Sequence, residues 1–260
     1  MLKFREMIDK NDIEGLKEYL KIIDPSIEDN WAIRHASQNG YVEVVRLLLS
    51  DPRVNPSAVR DEAIDFASAN GHLDVVRLLL SDSRVNPDAW NNYAIRMASH
   101  YGRLEIVKLL LSDSRVDPRA VNNYAIRNAS ERGHLEIVRL LLSDCRVDPS
   151  AFDNYAIRVA SINGHIEVVK LLLSDPRVDF NTISNREMKQ QLLKEEKNKL
   201  RKEFSFKYQV IQQASPQISI EGKLKSKIPC ELLRKIVYEA SYEEPLTTIR
   251  TLALNELIQK

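Results

Sequence analysis

Tyr93-Ala-Ile-Arg-Met-Ala-Ser-His-Tyr-Gly102-Arg-Leu-Glu-Ile-Val-Lys-Leu-Leu-Leu-Ser-Asp113 returns almost verbatim as Tyr155-Ala-Ile-Arg-Val-Ala-Ser-Ile-Asn-Gly164-His-Ile-Glu-Val-Val-Lys-Leu-Leu-Leu-Ser-Asp175. Working outward from these copies, Gly40, Gly71, Gly102, Gly133 and Gly164 follow one another at a spacing of 31 residues and account for five of the seven glycines. Self-similarity at such a period is the signature of a stacked array, in which each unit buries its apolar face only against its neighbours.

Each unit reads as two short helices and an arm. Asn30, Asp61, Asn92, Asn123 and Asn154 stand where an N-cap belongs, and alanine and isoleucine then follow at helical spacing. Glycine closes this first helix. The second, 104–112 in one copy, carries Leu104, Val107, Leu110 and Leu111 on one face and pairs Glu105 with Lys108 on the other, so the Leu-Leu-Leu run is expected in the core. An arm of the form Ser-Asp-x-Arg-Val-(Asn/Asp)-Pro follows, in which Pro56, Pro87, Pro118 and Pro149 forbid helix continuation.

This pattern resembles the ankyrin repeat, which runs Gly-x-Thr-Pro-Leu-His-x-Ala-Ala, then Gly-His-x-x-Val-Val-x-Leu-Leu-Leu, then a hairpin arm. The match is strongest at Gly71-His72-Leu-Asp-Val-Val-Arg-Leu-Leu-Leu80, Gly133-His134 and Gly164-His165. Thr-Pro-Leu-His is replaced by Tyr-Ala-Ile-Arg, Trp-Ala-Ile-Arg or Glu-Ala-Ile-Asp, and the repeat is shorter than the usual 33, which implies a stubbier hairpin. The resemblance implies an all-α ankyrin-repeat solenoid: a degenerate capping repeat over 1–30, with Asn11 at the glycine position, and five repeats over 31–184 starting near 31, 62, 93, 124 and 155.

From Arg186 the repeat fails. Strong helix formers take over to Lys202, with Met188, Leu192, Leu193 and Leu200 forming a narrow apolar stripe, and 185–227 is expected to be a basic capping helix and linker broken by Pro216 and Gly222. The last segment, 228–260, opens with Ile228-Pro-Cys-Glu-Leu-Leu-Arg-Lys-Ile-Val237. It resembles the opening of an F-box, with Pro229, Glu231, Leu232, Leu233, Ile236 and Val237 at matching positions. Truncated F-box-like endings behind ankyrin arrays are similar to those of large DNA viruses, notably poxviruses. That resemblance implies recruitment of the Skp-type adaptor of a cullin ubiquitin ligase in the cytoplasm, host cytoplasm for a viral protein. The alternative is an amphipathic helix pair that only caps the array.

Composition excludes other classes. Thirty-eight Lys and Arg against thirty-seven Asp and Glu leave a formal charge of +1, so no chain-wide field attracts nucleic acid or an anionic membrane. Cys145 and Cys230 are far apart with no metal-ligand spacing, and no run is apolar enough for a membrane span. The polar residues recur once per repeat instead of forming one catalytic constellation, so no enzyme, cofactor or metal is expected. His72, His134 and His165 sit where the ankyrin family bonds backbone. Arg34, Arg96, Arg127 and Arg158, and pairs such as Asp82/Arg84, are expected to bridge neighbouring repeats.

Binding is the expected role, through the residues that differ between copies on the concave face. One candidate set precedes the turn glycines and includes Gln38, His100, Tyr101, Glu131, Arg132 and Ile162. The other lies in the arms: Val59, Trp90, Val121, Phe152 and Ile183 recur in register and are apolar each time. Such a row either lines a groove or forms the stacking core. Trp90, Phe152 and Tyr101 are the aromatic anchors expected to hold a protein target.

Overall fold

The computed structural model describes residues 2–214, and over that span the secondary structure is helical throughout, with no strand among the described residues. First helices α3 (Ile27–Asn39), α5 (Ala58–Asn70), α7 (Ala89–His100), α9 (Ala120–Arg132) and α11 (Ala151–Ile162) alternate with second helices α4 (Val42–Leu49), α6 (Leu73–Ser81), α8 (Leu104–Leu111), α10 (Leu135–Leu142) and α12 (Ile166–Leu172). Each first helix packs on the next first helix and each second helix on the next second helix, giving an α-solenoid of two helical layers. Ahead of them α1 (Leu2–Asp9) packs on α3 and α2 (Ile13–Tyr19) on α4, closing one end with Phe4, Ile8 and Leu16 fully buried. Asn11 links α1 and α2 with a φ of 51°, the left-handed conformation that glycine supplies in the later repeats.

The core lies between the layers. In α7, Ala94, Ile95, Ala98 and Ser99 are buried, and in α8 so are Ile106, Val107 and Leu110. Of each Leu-Leu-Leu run only the middle leucine or its equivalent is fully buried; Leu109 and Leu111 are half-buried flanks packed against the core. The expected Glu105–Lys108 pair forms at 2.6 Å.

The arm is stubbier than a hairpin and carries no strand ladder. It consists of two side-chain-closed turns: Asp113 accepts the backbone N–H of Arg115 at 3.0 Å, and Asp117 accepts that of Arg119 at 3.0 Å. Arg115 returns to grip Asp113 and donates to the backbone carbonyl of Val85 in the preceding arm at 2.9 Å. Arg84, Arg146 and Arg177 repeat the reach, to Val54, Val116 and Val147, so the Asp-x-Arg pairs do bridge repeats. The guanidinium hydrogen bond holds each carboxyl of this row, Asp51, Asp82, Asp113, Asp144 and Asp175, below its usual range.

One expectation is overturned at the start of each first helix. Asn30, Asp61, Asn92, Asn123 and Asn154 are not N-caps of their own helices. Each ends a three-residue left-handed turn (28–30, 59–61, 90–92, 121–123 and 152–154) with every φ between 50° and 65°. Its side-chain oxygen reaches the next repeat: Asn92 Oδ1 accepts from Asp117 N at 2.6 Å and Asn123 Oδ1 from Asp148 N at 2.8 Å, and the other three do likewise. A left-handed conformation costs roughly 1–2 kcal/mol per L-residue, and Val59 and Val121 are β-branched, the least suited type. In the 90–92 turn two groups offset that cost: Asn92, bonded across to the next arm, and Arg96 one turn on, which donates from Nε to Asn91 O at 3.0 Å and from a terminal nitrogen to Trp90 O at 2.9 Å.

At the far end the pattern stops. Phe180 takes the place of the arm proline and is fully buried, the chain forms a 3-10 turn over Phe180–Thr182, and α13 (Arg186–Ala214) begins. Met188 and Leu192 are buried in the core, with Leu193 packed against it, so the start of the apolar stripe docks on the array; Leu200 is buried as well, and Lys170 of α12 pairs with Glu195 at 2.9 Å. The helix outruns the expected Lys202 because nothing before Ser215-Pro216 breaks it. Pro229, Glu231, Leu232, Leu233, Ile236 and Val237 lie outside the described residues.

Candidate functional site

With Ala94, Ile95, Ala98 and Ser99 facing inward, α7 turns Tyr93, Arg96, Met97 and His100 outward, because positions i, i+3, i+4 and i+7 share a helix face. The same offsets in the flanking copies bring Tyr124, Arg127 and Glu131 of α9 and Tyr155, Arg158, Val159 and Ile162 of α11 to the same face, while Asn128, at the offset of Met97, is buried and bonded to His100. The left-handed turns form its edge. A left-handed residue throws its side chain out of the path of both adjoining helices, so Val59, Trp90, Val121 and Phe152 are 41%, 52%, 44% and 60% exposed. They do not form the stacking core. Ile183 departs from the row: it follows the 3-10 turn with a negative φ and is buried.

Between these aromatics stand arginines. Arg60 lies 5.2 Å from the Trp90 ring, Arg96 is 5.2 Å from both Tyr93 and Tyr124, and Arg127 is 4.7 Å from Phe152, 4.9 Å from Tyr155 and 5.5 Å from Tyr124. Each such stack contributes about 0.5–2 kcal/mol depending on its desolvation. The arginines thus join repeats through rings more than through ion pairs. Of the four arginines Arg34, Arg96, Arg127 and Arg158, Arg34 alone makes an ion pair across repeats among the described residues, to Glu62 at 2.6 Å, while Arg158 pairs with Asp153 of its own turn at 2.9 Å.

At the opposite ends of the first helices lies the second candidate row. Gln38, Tyr101, Arg132 and Ile162 are exposed, whereas His100 and Glu131 are half-buried. His100 bonds Asn128 Oδ1 at 2.9 Å, lies 3.2 Å from an Arg132 terminal nitrogen and meets Tyr101 edge-on with ring centres 4.7 Å apart. Two neighbours of this row are structural: Asn70 donates to Gln38 O and Asn163 to Glu131 O. So are the histidines, with His72, His134 and His165 reaching the carbonyls of Gln38, His100 and Glu131 at 2.9–3.0 Å. Arg103 makes the same bond, to Ala69 O, where its repeat lacks the histidine.

The family models for ankyrin repeats match this geometry: one, of three copies, spans residues 94–184, and another, of many copies, spans 31–80 and 64–111. Together they cover more than half of the chain. The chain belongs to the ankyrin-repeat family. No curated protein matches it. Ankyrin repeats are protein-interaction modules, generally non-enzymatic, and protein binding is the role this ankyrin array supports. Among the described residues, no helix is long and apolar enough to cross a membrane and no group of His, Cys, Asp or Glu is gathered as for a metal ion.

The ankyrin array departs from its own rule once. Asp65 occupies the position held elsewhere by Arg34, Arg96, Arg127 and Arg158, and it is buried. Burial pushes its carboxyl up to about 8, the nearby Asp61 adds to the rise, and Arg96 opposes it. Burial also raises Asp61, even though that carboxylate accepts the backbone N–H of Asn86.

Sequence reasoning missed Tyr93, Tyr124, Tyr155 and Arg60 as members of this face. A signal was present: an aromatic three residues ahead of an arginine recurs at Trp31/Arg34, Tyr93/Arg96, Tyr124/Arg127 and Tyr155/Arg158. It reads only as helix spacing until the turns place the rings beside Trp90 and Phe152.

Proposed function

We propose that this ankyrin-repeat protein is a non-catalytic, substrate-capturing adaptor: the first-helix face holds a protein target, and the F-box-like ending recruits a Skp-type adaptor of a cullin ubiquitin ligase. The observation that carries capture is the row Val59, Trp90, Val121 and Phe152, four large apolar side chains held out to solvent on backbone conformations that L-residues disfavour. Gln38, His100, Tyr101, Glu131, Arg132 and Ile162 vary between copies along the other margin of the same helices and supply selectivity. The ligase half of the reading rests on Pro229, Glu231, Leu232, Leu233, Ile236 and Val237 matching the F-box opening, and it places the protein in the cytoplasm, host cytoplasm for a viral origin.

A plain binding or sequestering scaffold is the second reading. It is supported by the start of α13, whose Met188 and Leu192 are buried in the core of the array with Leu193 packed against it. A pull-down from eukaryotic cytosol with the full chain and with a Leu232→Asp/Ile236→Asp variant, both checked by circular dichroism, separates the two. Recovery of the Skp-type adaptor by the first chain only supports the ligase adaptor; recovery by neither leaves the scaffold.

A further inference from the structure

We propose that the edge formed by Trp90, Val121 and Phe152 binds an extended peptide segment of its protein target, with an acidic side chain of that segment seated on the Arg127 guanidinium and apolar side chains on the rings to either side. This rests on the capture half of the function proposed above and specifies the partner's chemistry.

Charge is the first argument. At the two ends of the ladder the arginines are neutralised by carboxylates, Arg34 by Glu62 and Arg158 by Asp153. The three between them, Arg60, Arg96 and Arg127, make no ion pair among the described residues and face rings instead. Asp65, which holds the arginine's position in the preceding repeat, is buried, and burial pushes its carboxyl up to about 8, so at neutral pH it compensates little of the Arg96 charge. Beside Arg96 and Arg127 the turns carry Asn91, Asn92, Asn122 and Asn123, where Arg60 shares its turn with Asp61 and the end turns carry Glu28, Asp29 and Asp153. The uncompensated positive charge is thus confined to the middle of the face.

Arg127 is the position where a carboxylate gains most. Arg96 uses Nε and a terminal nitrogen on the carbonyls of its own turn, but the Nε of Arg127 is buried without a partner, and one terminal nitrogen reaches Asn122 O only at 3.5 Å. Three rings fix the plane of its guanidinium, which leaves the outer terminal donors presented in the fork that matches a carboxylate. A planar, pre-ordered cation with unused donors loses little entropy on pairing.

Spacing is the second argument, and it selects an extended chain. Packed helices stand roughly 8–10 Å apart, so Trp90, Val121 and Phe152 on consecutive repeats mark steps of about that size. A polyproline-II chain, extended and with three residues per turn, rises about 3.1 Å per residue and sets every third side chain on one face. One side chain in every three residues therefore meets one repeat, and a segment of the form apolar-x-x-acidic-x-x-apolar fills the edge. A single-stranded nucleic acid also suits rings interleaved with arginines, but its phosphates form an unbroken negative line, and the end arginines of this ladder, Arg34 and Arg158, are already neutralised by carboxylates.

The test is a selection of random dodecapeptides displayed on phage against the immobilised full chain, repeated with Arg127→Glu and with Trp90→Ser/Phe152→Ser, each folded by circular dichroism. The expected outcome is enrichment of an acidic residue with apolar residues three positions away. Arg127→Glu should replace it with Lys or Arg at the same place, and the double variant should abolish enrichment. Enriched peptides synthesised with the acid changed to its amide should bind at least tenfold more weakly in titration calorimetry. Enrichment that needs Trp90 and Phe152 but no acid would overturn the peptide chemistry and leave the capture face standing. Enrichment indifferent to all these substitutions, or none at all, would overturn both. Fluorescein-labelled oligothymidylate of twelve nucleotides serves as the rival: anisotropy showing binding as tight as that of the peptides would overturn the proposal in favour of nucleic acid.

Discussion

An interior repeat and the last repeat of the array share nearly the same residues and differ in what lies beyond them. In the interior, a Cβ on Gly133 would stand 2.6 Å from the ring Nδ1 of His165 in the next repeat, and Gly40 and Gly102 face His72 and His134 in the same way. Among the described residues Gly164 has nothing within 4 Å of that position, because α13 follows there in place of another histidine-bearing repeat. Yet its φ of 79° matches the 74° of Gly133. The glycine therefore has two separable duties: a left-handed helix end in every repeat, and room for the neighbour's histidine only where a neighbour exists.

The sharpest way to break that comparison is Gly133→Ala against Gly164→Ala. Both put an alanine in the left-handed region, at a cost of about 1–2 kcal/mol. Only the first also displaces His165 from Glu131 O, so its total loss in urea denaturation should be about 3 kcal/mol or more. Equal losses would mean that the glycine serves φ alone.

Asn123→Ala should cost about 2 kcal/mol, since it leaves the backbone N–H of Asp148 without its partner in a junction flanked by repeats on both sides. Asn154→Ala, whose partner Asp179 N lies in the last arm beside the 3-10 turn, should cost less, and hydrogen exchange at the two amides checks it residue by residue. Faster exchange at Asp179 than at Asp148 in the unsubstituted chain would support the same ranking.

Asp65 sharpens the comparison by pH. Its carboxyl rises from the ordinary 3.8 to about 8 in the fold, so the folded chain holds a proton that the unfolded chain has released between those values. Its contribution is favourable below about 4 and is lost as the pH rises through about 8. Asp65→Asn should thus match the parent at pH 4 and exceed its thermal midpoint by a few degrees at pH 8.5. A parallel pH dependence in the two proteins would show that Asp65 does not titrate there.

The smallest effect concerns serine. The Oγ of Ser99 is buried without a partner, as are those of Ser37, Ser68 and Ser130, whereas Ser161 in the last repeat donates to Arg158 O at 2.7 Å. Ser99→Ala should therefore be neutral or stabilising by up to about 1 kcal/mol, and Ser161→Ala neutral to slightly destabilising, in the same urea titrations. The opposite signs would overturn this account of the row.

The 31-residue period, the helix-closing glycines and the bridging Asp-x-Arg pairs were legible in the sequence, because each depends on residue type at a fixed spacing, and the backbone bonds of the histidines followed from the resemblance to the ankyrin repeat. A reader of the sequence alone could also list Trp90, Val121 and Phe152 in register, but could not decide between a groove and a stacking core. That depended on the left-handed turns. Three consecutive left-handed L-residues are unfavourable in isolation and have no local signature, so Asn92 or Asn123 reads as an ordinary cap. Their conformation is held by groups far away in the chain, Asp117 N and Asp148 N on the next arm, together with Arg96 on the turn carbonyls. The repeat pattern by itself determined a stack of like units; the tertiary structure alone decided that its apolar row faces solvent, because only packed neighbours supply the bonds that keep the backbone in a conformation it would otherwise leave.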